Sequence, residues 1–241
     1  MTISLDAIIL AGGRGTRLSS VVSDVPKPLA PIAGRPFLDH IIDFLKASKI
    51  VRRIIVSAGY KADLMRRWAA ECVTPLEIVV IEELAPLGTG GALLHSINEI
   101  STTKTIVVMN GDSIARFDLS DMLANHGRSN FPMTIAVTHV NDVARYGEVE
   151  IVGNQITAFR EKISTPNSGW VNAGIYMINI DVLKTLSLGV SSFERDIIPL
   201  LLPAGIGAYR LEGQFVDIGT PESYAKAASL MGLEESPKKA N

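Results

Sequence analysis

Apolar runs of strand length alternate with stretches of helical periodicity through the first half of the chain. Repeated βαβ units building a mostly parallel sheet produce this pattern. The first strand is expected from Leu5 to Ala11 and is followed by a glycine-rich loop. Prolines at 26, 28 and 31 then forbid regular helix, because each lacks an amide donor and restricts its predecessor. Helix resumes near Pro36, a favoured first-turn residue. The next expected elements are a strand Arg53 to Ser57, a helix Ala62 to Glu71, a strand Glu77 to Ile81, a helix Gly91 to Glu99 and a strand Thr105 to Asn110.

From Met133 the pattern shifts to shorter alternating strands, including Gly147 to Val152 and Gln155 to Arg160 around a Gly153-Asn154 turn. This half reads as mixed or antiparallel. A helix from Pro221 to Met231 closes the fold, and the polar residues 234–241 read as a flexible tail. The expectation is one α/β domain over residues 1–233, with no internal repeat.

Composition narrows the classes. The chain has 241 residues, is 47% hydrophobic and 20% charged, and can bury a substantial core. A formal net charge of −2 gives no bulk attraction to nucleic acid or anionic membrane, so neither is an expected partner. No apolar run approaches the roughly 18 to 20 residues that span a bilayer, and the N-terminus lacks a basic leader. Cytoplasm is the default location. The single cysteine, Cys72, excludes an internal disulfide and reads as structural. His40, His95, His126 and His139 show no metal-ligand spacing.

Chemistry concentrates in a few loops. Ala11-Gly-Gly-Arg-Gly-Thr-Arg-Leu18 directly follows a strand, where α/β proteins bind ligands. Glycines let backbone amides approach phosphate oxygens, and Arg14 and Arg17 add charged forks suited to a triphosphate. The loop is neither a P-loop nor a complete dinucleotide fingerprint, since Leu18 stands where the last glycine would be. Taken alone it could be a structural turn. Lys27 adds a cation on the stiffened proline segment. Asp112, in Asn110-Gly-Asp112, and Asp217, in Phe215-Val-Asp-Ile-Gly-Thr-Pro221, are acids at apolar strand ends. They would suffice for Mg²⁺ if the fold brings them together, and Asp112 could instead cap a following segment.

Leu10 to Leu18 together with Pro26-Lys-Pro-Leu-Ala-Pro-Ile32 resembles the N-terminal signature of sugar-1-phosphate nucleotidyltransferases. That resemblance implies a Rossmann-like three-layer α/β/α fold, with a central mostly parallel mixed sheet and a smaller antiparallel sugar-binding portion. Residues up to about 130 would mainly bind nucleotide, and residues 131–233 sugar. The reaction would join a nucleoside triphosphate to a sugar 1-phosphate and release pyrophosphate.

By the same resemblance, Leu10, Ala11, Gly12, Gly13, Arg14, Gly15 and Thr16 form the nucleotide loop, with Gly12 and Gly13 bordering the base. Arg17 grips the triphosphate, Lys27 contacts the α-phosphate, and Asp112 and Asp217 bind Mg²⁺. Glu83 to Ala92 resembles the base-recognition loop, so backbone near Gly88 and the Thr89 hydroxyl would read a base edge, a helix cap being the alternative for Thr89. Glu83 would contact ribose or base, with Glu82 as its rival. Gly147 would lie against the sugar, Glu161 and Asn172 would bond its hydroxyls, and Lys162 would hold its phosphate.

The segments Ser20 to Pro28, Ser192 to Asp196 and Phe215 to Tyr224 are most similar to guanylyltransferases acting on a heptose 1-phosphate, which implies GTP. Uridylyl or thymidylyl transfer is the alternative, and a non-catalytic sugar-nucleotide sensor a more distant one. A homo-oligomer is compatible with the sequence.

Overall fold

The computed structural model describes residues 4–100, 103–144, 146–161, 167–187 and 189–233. Strand β1 (Leu5–Leu10) is apolar on both faces except for Asp6, as a strand covered on both sides must be. A short hairpin, β2 (Pro31–Ile32) and β3 (Arg35–Pro36), leads into α1 (Phe37–Ala47), with Pro36 just ahead of the helix. There follow β4 (Val51–Ala58), α2 (Ala62–Glu71), β5 (Glu77–Glu82), α3 (Gly88–Ser96) and β6 (Thr105–Asn110). Helix α3 starts three residues earlier than the periodicity predicts, and Ile97–Glu99 is a 3₁₀ turn appended to it.

The second half runs β7 (Ser113–Ala115), α4 (Leu119–Ser129), β8 (Met133–Val140), β9 (Gly147–Val152), β10 (Gln155–Glu161) and β11 (Gly169–Asn179). It ends with α5 (Ile180–Lys184), a π-helical turn at Phe193–Ile197, α6 (Ile198–Leu201), β12 (Ile206–Arg210), β13 (Phe215–Asp217) and α7 (Pro221–Leu230). Thr220 opens α7 with a reciprocal capping box to Ser223, and Pro221 sits at the first helical position.

One mixed sheet of nine strands carries the molecule, in the order β5-β4-β1-β6-β11-β8-β12-β10-β9. β5, β4, β1 and β6 are parallel, and β11 runs antiparallel to both β6 and β8. β9 pairs with β11 as well as β10, so the strands of the second half curl back on themselves. Within that curl β12 and β8 are parallel, so the portion expected to be antiparallel is mixed.

Alternation along β1 shows where the core sits. Ala7 and Ile9 join a cluster with Phe37, Met65, Met122 and Ala227, from α1, α2, α4 and α7. Ile8 and Leu10 join the other cluster, with Leu93, Leu183, Phe193 and Leu201. Successive side chains of a strand face opposite ways, so these are two cores on the two sheet faces, giving three layers. Cys72 packs against the first core; burial, with Asp39 and Asp43 nearby, pushes its thiol up from the ordinary value. No helix among the described residues is long and apolar enough to cross a membrane.

Candidate active site

At the carboxyl ends of the parallel strands the backbone is stitched into a cleft floor. Ala11 N donates to Ser57 O at 2.9 Å, Gly111 N to Leu10 O at 2.9 Å and Glu83 N to Ala58 O at 2.8 Å. These bonds carry the sheet register past the ends of β1, β6 and β5 into their loops. Two adjoining cavities open there, of about 510 Å³ and about 230 Å³, and Asn110 and Asp112 line both.

The larger cavity gathers Leu10, Ala11, Gly12, Gly13, Arg14, Lys27, Glu83, Gly88, Thr89 and Asp112 from the expected set. Gly15 and Thr16 line neither cavity. Gly15 has φ +60°, and a methyl there would crowd the Lys27 Cβ at 3.0 Å, so this glycine shapes the turn that places Lys27. Glu83 rather than Glu82 faces inward. Glu82 is drawn to the outer surface by Arg66 at 2.5 Å, whereas Glu83 accepts from Ser57 Oγ at 3.0 Å and Leu87 N at 3.3 Å. A side chain on Gly12 would overlap the Glu83 carboxylate, which ties the two loops to one geometry.

Thr89 lines the larger cavity but is not the cap of α3. The cap position of α3 is Leu87, and no side chain caps that end. The Thr89 hydroxyl donates to Glu194 Oε2 at 2.9 Å and accepts from Phe193 N at 2.8 Å. The neighbouring glycines serve the same junction: Gly90 N donates to Ser191 O at 2.8 Å, and a methyl on Gly88, whose φ is +71°, would overlap that carbonyl. Much of the second glycine cluster therefore packs α3 against a segment about a hundred residues later in the chain.

The smaller cavity brings Arg17, Asp112, Gly147, Asn172 and Asp217 together with Glu194 and Tyr146. Spacing along the chain gave no reason for the two acids to meet. A two-stranded ribbon supplies it, since β7 and β13 pair antiparallel with Asp217 opposite Ser113, and Ile218 N donates to Asp112 O at 2.9 Å. Asp217 Oδ2 accepts from Tyr146 Oη at 2.6 Å, and its Oδ1 from Gly219 N at 2.9 Å and Ser223 Oγ at 3.2 Å. Asp112 forms an ion pair with Lys27 and accepts from Ser113 Oγ at 3.1 Å. Burial pushes the Asp112 carboxyl up, but Lys27, the Ser113 bond and the Arg17 charge outweigh it and hold the group below the ordinary aspartate value.

Two carboxylates, held by donors and facing one cleft, are a hard-oxygen donor set suited to Mg²⁺ with phosphate and water completing the shell. Among the described residues no cluster of three or more His, Cys, Asp or Glu offers a fuller protein cage. Glu161 pairs with Gly147 through the β9–β10 ladder, which sets its backbone beside the smaller cavity. Lys162 lies outside the described residues. Asn172 is present at the smaller cavity with its amide largely committed: Nδ2 donates to Tyr176 Oη at 2.7 Å and Oδ1 accepts from Gly174 N at 2.9 Å.

Tyr146, Ser223 and Glu194 are site residues that the sequence reading passed over. Tyr146 stands beside Gly147, and its value as an Asp217 partner is invisible until the ribbon forms. Two histidines are buried in the fold, with His126 bridging Thr134 Oγ1 at 2.8 Å and Asn179 Oδ1 at 3.1 Å and His40 meeting Ile32 O at 3.2 Å, while the exposed His139 lies edge-on to Trp170.

Comparison with known proteins identifies the family. The family model "Nucleotidyl transferase" matches residues 6–232. The chain is 35% identical over 225 residues to D-glycero-alpha-D-manno-heptose 1-phosphate guanylyltransferase of Aneurinibacillus thermoaerophilus, covering 92% of this chain and 96% of that protein. It is 31% identical to mannose-1-phosphate guanylyltransferase of Mycobacterium tuberculosis, covering 98% of this chain and 67% of that one. Among solved structures, HddC from Yersinia pseudotuberculosis superposes with TM-score 0.84 at 33% identity, over 94% of this chain and 99% of that chain. The same protein complexed with GMP-PN superposes with TM-score 0.83.

Proposed function

Since the chain belongs to the nucleotidyl transferase family, we propose that it is a sugar-1-phosphate guanylyltransferase, joining GTP to D-glycero-α-D-manno-heptose 1-phosphate with release of pyrophosphate. The observation that carries the reading is the pair of cavities sharing Asn110 and Asp112. A two-substrate transfer needs two compartments meeting at the reacting phosphorus. The larger cavity has room and apolar surface for a purine nucleotide, and the smaller, polar one suits a phosphorylated sugar. The choice of guanine and heptose is supported by the printed functions of the relatives and by the guanine nucleotide bound to the Yersinia protein.

In this mechanism a sugar-phosphate oxygen attacks the α-phosphorus, one bond to it forms, and the bond to the β-phosphate oxygen breaks, leaving pyrophosphate. The attacking oxygen is already anionic near neutral pH, so no general base is required. Catalysis is then alignment and charge neutralisation. Arg14 and Arg17 hold the triphosphate, and Lys27, already beside Asp112, meets the α-phosphate. Asp112 and Asp217 would hold Mg²⁺, which when bound neutralises phosphate charge. Lys162 anchors the sugar phosphate. Glycine amides of the first loop, with the Glu83 brace behind Gly12, fix the nucleotide so that the in-line path is short.

A panel crossing GTP, ATP, UTP, CTP and dTTP with heptose, mannose and glucose 1-phosphates, read as pyrophosphate release with and without Mg²⁺, tests the reading. GTP with the heptose substrate should give the highest kcat/KM. A preference for UTP or dTTP would move the chain to another branch of the family, and no release with any pair would leave it a binding module.

A further inference from the structure

Asp217 is held from two sides of the smaller cavity. Its Oδ1 accepts from Gly219 N at 2.9 Å and Ser223 Oγ at 3.2 Å, which belong to the turn after β13 and the first turn of α7. Those bonds are local, made within six residues of the acid. Its Oδ2 accepts from Tyr146 Oη at 2.6 Å, and Tyr146 stands just ahead of β9, 71 residues away in the chain.

The tyrosine is itself fixed. Its backbone amide donates to Val143 O at 2.9 Å, and its ring meets the Phe215 ring edge-on, with centroids 5.8 Å apart and planes at 68°. Phe215 and Asp217 lie two apart on β13 with buried Val216 between them, so they share the strand face that looks into the cavity. Ring and hydroxyl of one tyrosine therefore both rest on that face. The terminal torsion of an aspartate is broad, so bonds to one oxygen leave its plane loosely set and bonds to both fix it. At 2.6 Å the tyrosine bond is at the short end for O–H···O contacts. A carboxylate oxygen has a second lone pair, so the bond leaves Oδ2 able to face a cation.

Resting on the guanylyltransferase reading above, with Asp217 as a ligand of its Mg²⁺, we propose that Tyr146 is a positioning residue that acts through Asp217. Its hydroxyl sets the plane of the carboxylate and so the affinity of the site for the divalent ion. Donors that orient a metal-binding carboxylate in this way typically carry about 10- to 100-fold in metal affinity. A direct contact from the hydroxyl to the sugar is the other role open to a residue lining this cavity, and the test separates the two.

The experiment uses Mn²⁺, which shares the oxygen preference of Mg²⁺. Its affinity is read by electron paramagnetic resonance for wild type, Tyr146→Phe and Asp217→Ala with α,β-methylene-GTP bound, against a nucleotide-only control. Steady-state rates supply the Mg²⁺ concentration for half-activity and, at saturating Mg²⁺, the KM for D-glycero-α-D-manno-heptose 1-phosphate. Phenylalanine keeps the ring on Phe215 and removes only the hydroxyl. Tyr146→Phe should weaken Mn²⁺ binding about tenfold or more and raise the Mg²⁺ requirement alike, with the sugar KM within about threefold of wild type. A purely structural role would lower the urea midpoint and leave the Mn²⁺ affinity of the folded protein unchanged, which overturns the proposal. A raised sugar KM with metal affinity unmoved overturns it too, by making the hydroxyl a sugar contact. So does an Asp217→Ala variant that binds Mn²⁺ as well as wild type, since Tyr146 would have no ligand to act through. If wild type turns over no substrate pair while Tyr146→Phe still weakens Mn²⁺ binding, the guanylyltransferase reading fails and the positioning role stands.

Discussion

At the scale of single residues, the site depends on carboxylates held in place by donors. Asp217 accepts from a tyrosine, a serine and a backbone amide, and Asp112 is paired to Lys27. Asp217→Ala should leave the far-ultraviolet circular dichroism unchanged and lower kcat by at least about 10³-fold, since charge neutralisation at a transferring phosphoryl group is among the largest catalytic contributions. Asp112→Ala should behave alike and also release Lys27 from its partner. Near-normal turnover in either folded variant would remove the metal assignment. Glu83 and Glu82 illustrate the limit of reading at this scale: adjacent acids at a strand end are equivalent in sequence, and only Arg66 on one side and Ser57 on the other decide which faces in.

At the scale of elements, two junctions outside the chemistry carry expectations of their own. The first joins α3 to Ser191 through Gly88 and Gly90, and to Phe193 and Glu194 through Thr89. Gly88→Ala would need an L-residue at φ +71° and would press a methyl into a carbonyl, so a loss of about 1–3 kcal/mol is expected in urea unfolding. Its GTP KM should rise as well, because the same turn borders the larger cavity. An unchanged unfolding midpoint would show that the junction is dispensable.

The second junction is His126 of α4, which ties β8 to the end of β11. Burial lowers its pKa below the ordinary histidine value, with the Asn179 hydrogen bond opposing in part. The folded chain then takes up the proton at lower pH than the unfolded chain. Above the ordinary value of 6.5 both states are neutral at this residue and it contributes no pH dependence. As pH falls below 6.5 the unfolded state binds the proton first, and stability declines with a slope of at most about 1.4 kcal/mol per pH unit until the folded pKa is passed. Urea midpoints between neutral pH and pH 5 should therefore fall in wild type and fall less steeply in His126→Gln. Equal slopes would assign the acid sensitivity to other groups.

These junctions also show what the sequence could and could not reveal. Local signals were strong where chemistry and backbone coincide: the strand and glycine loop at Leu10 to Arg17, the Asn110-Gly-Asp112 strand end, and the Thr220-Pro221 helix start. Long-range pairing was not legible. β7 and β13 are three-residue strands, too short for periodicity to reveal, yet they bring Asp112 beside Asp217. The second glycine cluster was recognisable as a helix start, but nothing near it in the chain announces Ser191. Alternation indicates which residues share a face and leaves open which strands become neighbours, so the parallel pairing of β8 and β12 inside an otherwise antiparallel region was beyond it.

At the scale of the whole molecule, one continuous sheet carries both cavities, the larger at the ends of the parallel strands and the smaller against the curled mixed strands. β6, which pairs with β11, ends in Asn110, and that residue and Asp112 line both cavities. The proposed reaction carries the GMP moiety of GTP onto the sugar phosphate where the two cavities meet. It is tested most directly by incubating the protein with Mg²⁺, heptose 1-phosphate and GTP labelled with ³²P at either the α or the γ position. The α label should appear in the nucleotide sugar and the γ label in pyrophosphate, in equal amounts. Recovery of the α label in free GMP, or of the γ label in inorganic phosphate or in the sugar product, would contradict it.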